Sequence, residues 1–530
     1  MKRRAVIILC IIFFCSSCVP SGKVQETGTS SDPVTLTVYM TGDAVYQDNE
    51  PLFFNTAYSM GENYYRRLLW GEEGHIYYQA IQEFEEKTGH TIAITYFEFP
   101  DELFLQLAKD QEAGTLPDVV IADATTNDFN TYAYMTEDYF TDLMSYLQPY
   151  QDQYYEKVLQ AGRQQDKQYI LPLLFNVTVG MGDKQVVQRE GLAAEKDLSL
   201  KDYLEKMTAY FEGTWDRKNY EGMAQLTTPV YYSLFQMVDA ASGMPLIEYD
   251  TGRPCLNKEY VEDLYAFWTA YLRQSYGEEW EAIQEEARSF NGVLPYQKSQ
   301  WYYLSQAAVE ADSISEVLGD FGVLIEGGGY STMSLHSALA QAYYYHSRYQ
   351  DAGREFILFG LPCYEEADAY TAEVTMFGGV TAECSHVQQA FDFLKFLADY
   401  ETPWQMGLSV NRERTRQQME QLSTMEYTLY ESAGYQMPQE ELPSDLPYII
   451  KPLSSDIVNE FMHIVDHIAK ATLPEEEVRW ILYEAMHQGI LENQSSDEVY
   501  HTVQQALSSY NKEGSAHETS IESDSSHFTS

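Results

Sequence analysis

The chain has 530 residues, and 81 Asp and Glu against 33 Lys and Arg give it a formal charge of −48. A surface that negative repels phosphate backbones and anionic headgroups, which excludes nucleic acid as a partner and any membrane contact made through charge. The length is too great for a single core and suits two lobes with insertions.

Lys2, Arg3 and Arg4 precede an apolar run from Ala5 to Cys15, and Ser16-Ser17-Cys18 closes it. The run is too short for a resident bilayer-spanning helix, so residues 1–17 read as a signal peptide. The cysteine after the small pair resembles the lipobox of bacterial lipoproteins, although Cys15 stands where that family usually has Leu. That resemblance implies cleavage before Cys18, lipidation of its thiol (palmitate among the acyl groups), and residence on the outer, extracellular or periplasmic side of the cell membrane. An ordinary secreted protein and a retained membrane anchor are the alternatives. Val19 to Asp32 is polar and rich in Gly and Ser, so residues 18–33 are expected to form a flexible leash. Residues 511–530 have the same character and are expected to be a disordered tail.

The body opens on Val34-Thr-Leu-Thr-Val-Tyr-Met40, whose alternation predicts a strand. Tyr77, Ala80, Ile81 and Phe84 make one helical stripe, stopped at Thr88-Gly89. A strand over Thr91–Phe97 follows, then a helix from Pro100 to Ala113, then the apolar strand Val119–Ala122. Strand, helix, strand, helix, strand predicts a parallel α/β sheet buried on both faces. Downstream, Ser385 and Gln388 fit a capping box ahead of the stripe Val387, Ala390, Phe391, Leu394, Leu397. Pro474 followed by Glu475-Glu476-Glu477 fits a solvated helix start.

These pieces, in this order, resemble the extracellular solute-binding proteins of ABC importers. The N-lobe likeness rests on Ala80-Ile81-x-x-Phe84-Glu85-x-x-Thr88-Gly89, Ala113-Gly114-x-x-Pro117-Asp118-Val119 and Phe140-Thr-Asp142-Leu143. Gln168-Tyr169-x-Leu171-Pro172-Leu173-x-Phe175-Asn176 resembles the first interlobe crossing, and Ser242-Gly243 to Leu256-Asn257 the second-lobe core. Phe359-Gly360-Leu361-Pro362, Phe377-Gly378-Gly379-Val380 and Ala390-Phe391-x-Phe393-Leu394-x-Phe396-Leu397 resemble the return crossing and the last N-lobe helix. The pattern is similar to the family 1, sugar-binding branch that includes the maltose-binding proteins.

The resemblance implies a two-lobed α/β fold of the periplasmic-binding-protein-like kind (type II), each lobe a mostly parallel sheet flanked by helices, joined by a hinge. The expected parts are an N-lobe over 34–174 with an aromatic insertion at 41–76, a C-lobe over 175–365, an N-lobe return segment over 366–410, and C-lobe-associated helices over 411–510. It implies a monomer that captures a solute, most readily a sugar or oligosaccharide, and hands it to the membrane permease of an ABC importer, without a cofactor. A surface-anchored glycan hydrolase and a sensory or structural lipoprotein are the other readings.

No residue pattern demands catalysis. A Gly-x-Ser-x-Gly elbow is absent, and Gly327-Gly328-Gly329 lacks the spacing and basic residue of a phosphate cradle. His463 and His467, four apart, are set aside as a metal pair for want of a third ligand, so no metal is expected. Of the cysteines beyond Cys18, Cys255, Cys363 and Cys384, one pair (Cys363 with Cys384) is the disulfide candidate; otherwise all three are buried small apolar residues.

Aromatics make up 14% of the chain, and a sugar wants flat rings beside carboxylates and amides. Strand ends and crossings nominate Asp43, Asp123, Thr125, Asn127 and Asn176 to bond hydroxyls, and Phe175, Tyr231, Phe235, Tyr330 and Phe377 to stack on rings. Tyr330 stands where the family often has a stacking Gly-x-Trp.

Overall fold

The structure is a computed structural model, and it describes residues 32–41, 77–97, 100–124, 131–177, 179–189, 196–213, 247–248, 253–254, 256–289, 331–333, 338–351, 353–401, 407–428, 449–473 and 476–514. The first β/α units form where the hydrophobic pattern places them: β1 Thr35–Thr41, α1 Tyr78–Thr88, β2 Thr91–Phe97, α2 Pro100–Ala113 and β3 Val119–Asp123. In β1 the inward alternation buries Leu36, Val38 and Met40, whereas β3 buries every residue up to Ala122. β1 lies between β2 and β3 and runs parallel to both, with Thr35 opposite Thr91 and Val38 opposite Val119. Gly89 ends α1 in the left-handed conformation, φ 74°, as its position after Thr88 predicts.

β4 Ile170–Val177 joins the same sheet, and β5 Val179–Asp183 continues almost without a break into a second one. That second sheet has the order β6-β5-β7, with β6 Ser331–Met333 and β7 Phe356–Gly360 both antiparallel to β5. The chain then returns as β8 Tyr370–Val380, antiparallel to β3 on one edge and to β4 on the other. β9 Leu408–Ser409 closes the β4 edge, and β10 Ile468–Thr472 runs parallel to the start of β8. The first sheet is therefore parallel in its β/α units and antiparallel where β4 and β8 carry the chain between lobes. The second pairs antiparallel throughout its described strands.

One core packs this first sheet between α1, α2 and the later helices α7 Val387–Ala398, α8 Arg412–Thr424 and α9 Ser455–Asp466. The Gly378-Gly379 pair has a steric reason: a Cβ on Gly378 would lie 2.4 Å from Leu394 Cδ2 of α7, and one on Gly379 2.6 Å from the Phe140 ring. The predicted stripe of α7 is buried at Ala390, Phe391, Leu394 and Leu397, but its predicted capping box does not form. His386 is the N-cap residue, and Gln388 Nε2 donates to Asp392 Oδ1 (2.9 Å) one turn on instead.

A second core is built by α3 Leu200–Gly213, α4 Lys258–Tyr276, α5 Trp280–Ser289, α10 Glu476–Leu491 and α11 Ser496–Gly514. Tyr203, Tyr260 and Trp268 are buried in it, and the Trp268 ring meets Tyr483 edge-on at 5.9 Å. Residues 411–510, expected to associate with the C-lobe, contribute to both cores. Met419, Leu422, Ile457 and Phe461 pack in the first core, and Val478, Leu482, Val499 and Val503 in the second. α8 packs against β9 of the first sheet and against α9, and α9 packs in turn against β7 of the second.

Cys363 and Cys384 are buried free thiols, which corrects the disulfide candidate; Cys255 lies outside the described residues. Burial pushes the Cys384 thiol up to about 12. Among the described residues no helix is long and apolar enough to cross a membrane.

His346, on α6 Ala338–Asp351, makes stability depend on pH. Its Nε2 accepts from the Ser454 N–H (3.3 Å), and burial lowers its pKa from 6.5 to about 4. The folded ring is neutral while the unfolded one titrates near 6.5, so its contribution is complete above that pH and is lost as pH falls toward about 4. His346→Gln should therefore flatten the loss of melting temperature between pH 6.5 and 4, by on the order of 1–3 kcal/mol relative to wild type. Parallel slopes for the two proteins in calorimetry across that range would contradict it.

Candidate functional site

The strand order β2-β1-β3 makes the carboxyl ends of β1 and β3 a topological switch point, because the chain leaves β1 toward one side and returns past it to the other. Open α/β sheets hold ligands in the crevice outside such ends. Here the switch point consists of Thr41 and Asp123: the Asp123 backbone N–H donates to Thr41 Oγ1 at 2.6 Å, which fixes the two strand ends against each other. Thr41 is buried and Asp123 half-buried.

The neighbouring crossing strands extend this row. Asp123 pairs with Met376, the Ala124 N–H donates to the Thr375 carbonyl (2.9 Å), and Phe175 pairs with both Val374 and Leu408. Asn176 and Thr375 therefore stand beside the switch point, at the end of the sheet from which β4 leaves for the second lobe. Asn176 Nδ2 and Thr375 Oγ1 are buried, and neither has a hydrogen-bond partner among the described residues. Buried polar atoms are nearly always satisfied, so two orphans side by side call for an explanation. Gly407 keeps the space open: its φ is +116°, and a Cβ there would lie 3.1 Å from Asn176 Oδ1 and 3.5 Å from Thr375 Oγ1.

The predicted residues divide accordingly. Asp123 and Asn176 come together in this row. Phe175 and Phe377, expected to stack on a ring, are instead core residues with no exposed surface. Phe175 meets Tyr155 edge-on at 5.5 Å, and Phe377 faces Phe104 at 6.4 Å. The pleat explains the difference: successive side chains alternate between faces, so the residue before Asn176 points into the core. Asp43, Thr125, Asn127, Tyr231, Phe235 and Tyr330 lie outside the described residues. Thr41, Thr375 and Gly407 were not anticipated. Thr41 carried a usable signal as a polar residue ending the first strand, whereas Thr375 and Gly407 depend on register and backbone conformation.

Two grooves occur elsewhere among the described residues. One of about 580 Å³ is lined by Glu83, Lys87, Phe396, Tyr400 and Arg414, and one of about 480 Å³ by Tyr155, Asn411, Arg412, Met462 and Asp466. Neither includes the switch-point row.

The two sheets are joined between β4 and β5, and again through residues 361–369, between β7 and β8. The chain passes a third time from the first core to the second between β10 and α10. Gly360 enters the second joint where a Cβ would lie 2.3 Å from the Tyr370 ring, so the backbone there passes closely under Tyr370.

Comparison with known proteins places this geometry. Residues 79–308 match the family model described as bacterial extracellular solute-binding protein. Among solved structures the chain resembles a family 1 extracellular solute-binding protein from Alicyclobacillus acidocaldarius, 14% identical, covering 91% of this chain and 100% of that one at a TM-score of 0.49. It also resembles a periplasmic oligogalacturonide-binding protein from Yersinia enterocolitica, 13% identical, covering 91% and 98% at a TM-score of 0.48. A structure described as a de novo designed cysteine esterase is 14% identical and covers 92% and 98% at a TM-score of 0.51; at that identity the likeness is one of fold alone. No curated protein is similar enough to count as a match. Over residues 79–308 the chain is similar to the bacterial extracellular solute-binding proteins.

Proposed function

We propose that this protein captures a sugar or oligosaccharide between its two lobes, outside the cytoplasm, and delivers it to an ABC-type permease. The observation that carries the reading is the row Thr41, Asp123, Asn176 and Thr375 at the switch point, with two buried polar atoms that no described residue satisfies. Hydroxyls, an amide and a carboxylate suit the donors and acceptors of a neutral polyol. A formal charge of −48 opposes an anionic cargo, so a neutral carbohydrate is favoured over a phosphorylated one.

Asp43, Thr125 and Asn127 are proposed to extend the hydrogen-bonding rim, and Tyr231, Phe235 and Tyr330 to supply stacking rings from beyond the first sheet. The joints between β4 and β5 and at 361–369 act as the hinge, and closure over ligand makes the form that the permease recognises. Lipidation at Cys18 would hold a monomeric binder near that permease at high effective concentration. Binding uses neither a cofactor nor covalent chemistry.

A thermal-shift screen of the purified protein against monosaccharides, oligosaccharides, peptides and polyamines tests this. A ligand at one hundred times its Kd stabilises the folded form by about 2.7 kcal/mol, so one sugar class should raise the melting point in a saturable way. A shift with peptides or polyamines alone would overturn the carbohydrate assignment, and turnover of a sugar would overturn the pure-binder reading.

A further inference from the structure

The histidine pair that lacked a third ligand in the sequence acquires one in the fold. α9 places His463 in its last turn and His467 at its C-cap, four residues apart on one face. Asp368 arrives from the joint between β7 and β8, close to them in space although 95 residues away from His463 in sequence. The register brings it there. Tyr370 pairs with Ile468, and the Tyr370 N–H donates to the His467 carbonyl (3.0 Å), so the residue two before Tyr370 falls beside the residue one before Ile468. Asp368 holds φ +52°, a left-handed backbone that turns the chain into β8 and that Asp tolerates better than most residues.

We propose that Asp368, His463 and His467 form a divalent transition-metal site, with Zn²⁺ the ion it fits. One ligand atom from each of the three residues lies within 4.8 Å of the others, with His463 Nε2 at 2.6 Å from Asp368 Oδ1 and His467 Nε2 at 3.8 Å from Asp368 Oδ2. Bonds of about 2.0–2.2 Å to zinc set neighbouring donors about 3.0–3.5 Å apart, which small side-chain rotations reach from here. The tautomer of His467 is already correct. Its Nδ1 lies 2.8 Å from the His463 carbonyl, which can only accept, so the proton is on Nδ1 and the Nε2 lone pair faces Asp368. A ring nitrogen that donates to a backbone carbonyl is the usual outer support of a ligating histidine. His463 would carry its proton on Nδ1 when the ion replaces its hydrogen bond to Asp368. All three side chains keep solvent access, so an ion has an entry path and room for water in its remaining positions.

Such an ion would tie the second interlobe joint to α9. That helix packs against β7 of the second sheet and carries Glu460, which pairs with Lys196 (3.1 Å) just ahead of α3. The site would therefore brace the hinge segment, independently of which solute the protein carries.

The test is calorimetric titration of the chelator-stripped full-length protein, made without a polyhistidine tag, with ZnCl2 in excess Mg²⁺ to occupy the acidic surface. One Zn²⁺ per chain is expected, weakened at least about 100-fold in Asp368→Asn and His463→Gln, since loss of a ligand should exceed the 10–100-fold typical of its outer supports. Asn also accepts the left-handed backbone at 368, so Asp368→Asn should fold. No saturable binding by wild type, or equal binding by both variants, overturns the proposal and leaves an ordinary His–Asp hydrogen-bond cluster. If a variant misfolds, anomalous scattering at the zinc edge from soaked wild-type crystals decides. A peak bonded to all three side chains supports the site, and peaks only elsewhere overturn it.

Discussion

Asp123→Ala is expected to weaken binding of the cognate sugar by about 10- to 150-fold, the loss of one charge-assisted hydrogen bond worth about 1.5–3 kcal/mol. The expectation follows from position. Asp123 ends β3 at the switch point, half-buried, and its backbone N–H already bonds Thr41 Oγ1. Alanine keeps that backbone bond, so the strand ends stay in register and the unliganded melting point should fall by about 1 kcal/mol or less. Titration calorimetry with whichever sugar stabilises the wild type provides the measurement. Unchanged affinity in a normally folded variant would remove Asp123 from the site and with it the proposed role of the β1–β3 ends.

Trp268→Ala should be the most damaging single truncation in the second lobe, costing about 3–5 kcal/mol. Trp268 is 1% exposed at the centre of α4, where it touches the α10 residue Tyr483, so the cavity opens between two helices far apart in sequence. Its indole Nε1 has no hydrogen-bond partner, which makes the ring valuable for its volume and not for its polar atom. Trp268→Phe should therefore recover most of the loss and cost about 1.5 kcal/mol or less. Urea unfolding followed by circular dichroism distinguishes these outcomes. Equal losses for Phe and Ala would contradict the account in which ring volume is what stabilises this core.

The β/α units were legible because local pattern determines them. Leu36, Val38 and Met40 alternate, Tyr77 to Phe84 repeat at helical spacing, and Gly89 supplies the left-handed stop, so β1, α1, β2, α2 and β3 follow from short-range chemistry. The lobe assignment of α8 and α9 was not legible, since an amphipathic stripe says that a helix packs but not against which sheet. The capping box at Ser385 failed for a related reason: its residues permit a cap, but the turn after β8 places His386 at the helix start.

The site was half legible. The rule that ligands sit at strand carboxyl ends selects Asp123 from sequence, and the crossing selects the pair Phe175-Asn176. Only the pleat decides that Asn176 turns to the orphaned polar row while Phe175 turns inward, and only the packing shows Phe377 buried against Phe104. Thr375, Gly407 and Asp368 are brought into place by register between strands separated by about one hundred to more than two hundred residues, information that no local window contains.

Small-angle X-ray scattering of the protein titrated with oligosaccharides tests the central claim most directly. Two lobes hinged between β4 and β5 and at residues 361–369 should close on cargo, so the radius of gyration should fall and saturate at the same sugar concentration that saturates the thermal shift. Scattering curves that stay identical through saturating sugar would contradict capture by lobe closure.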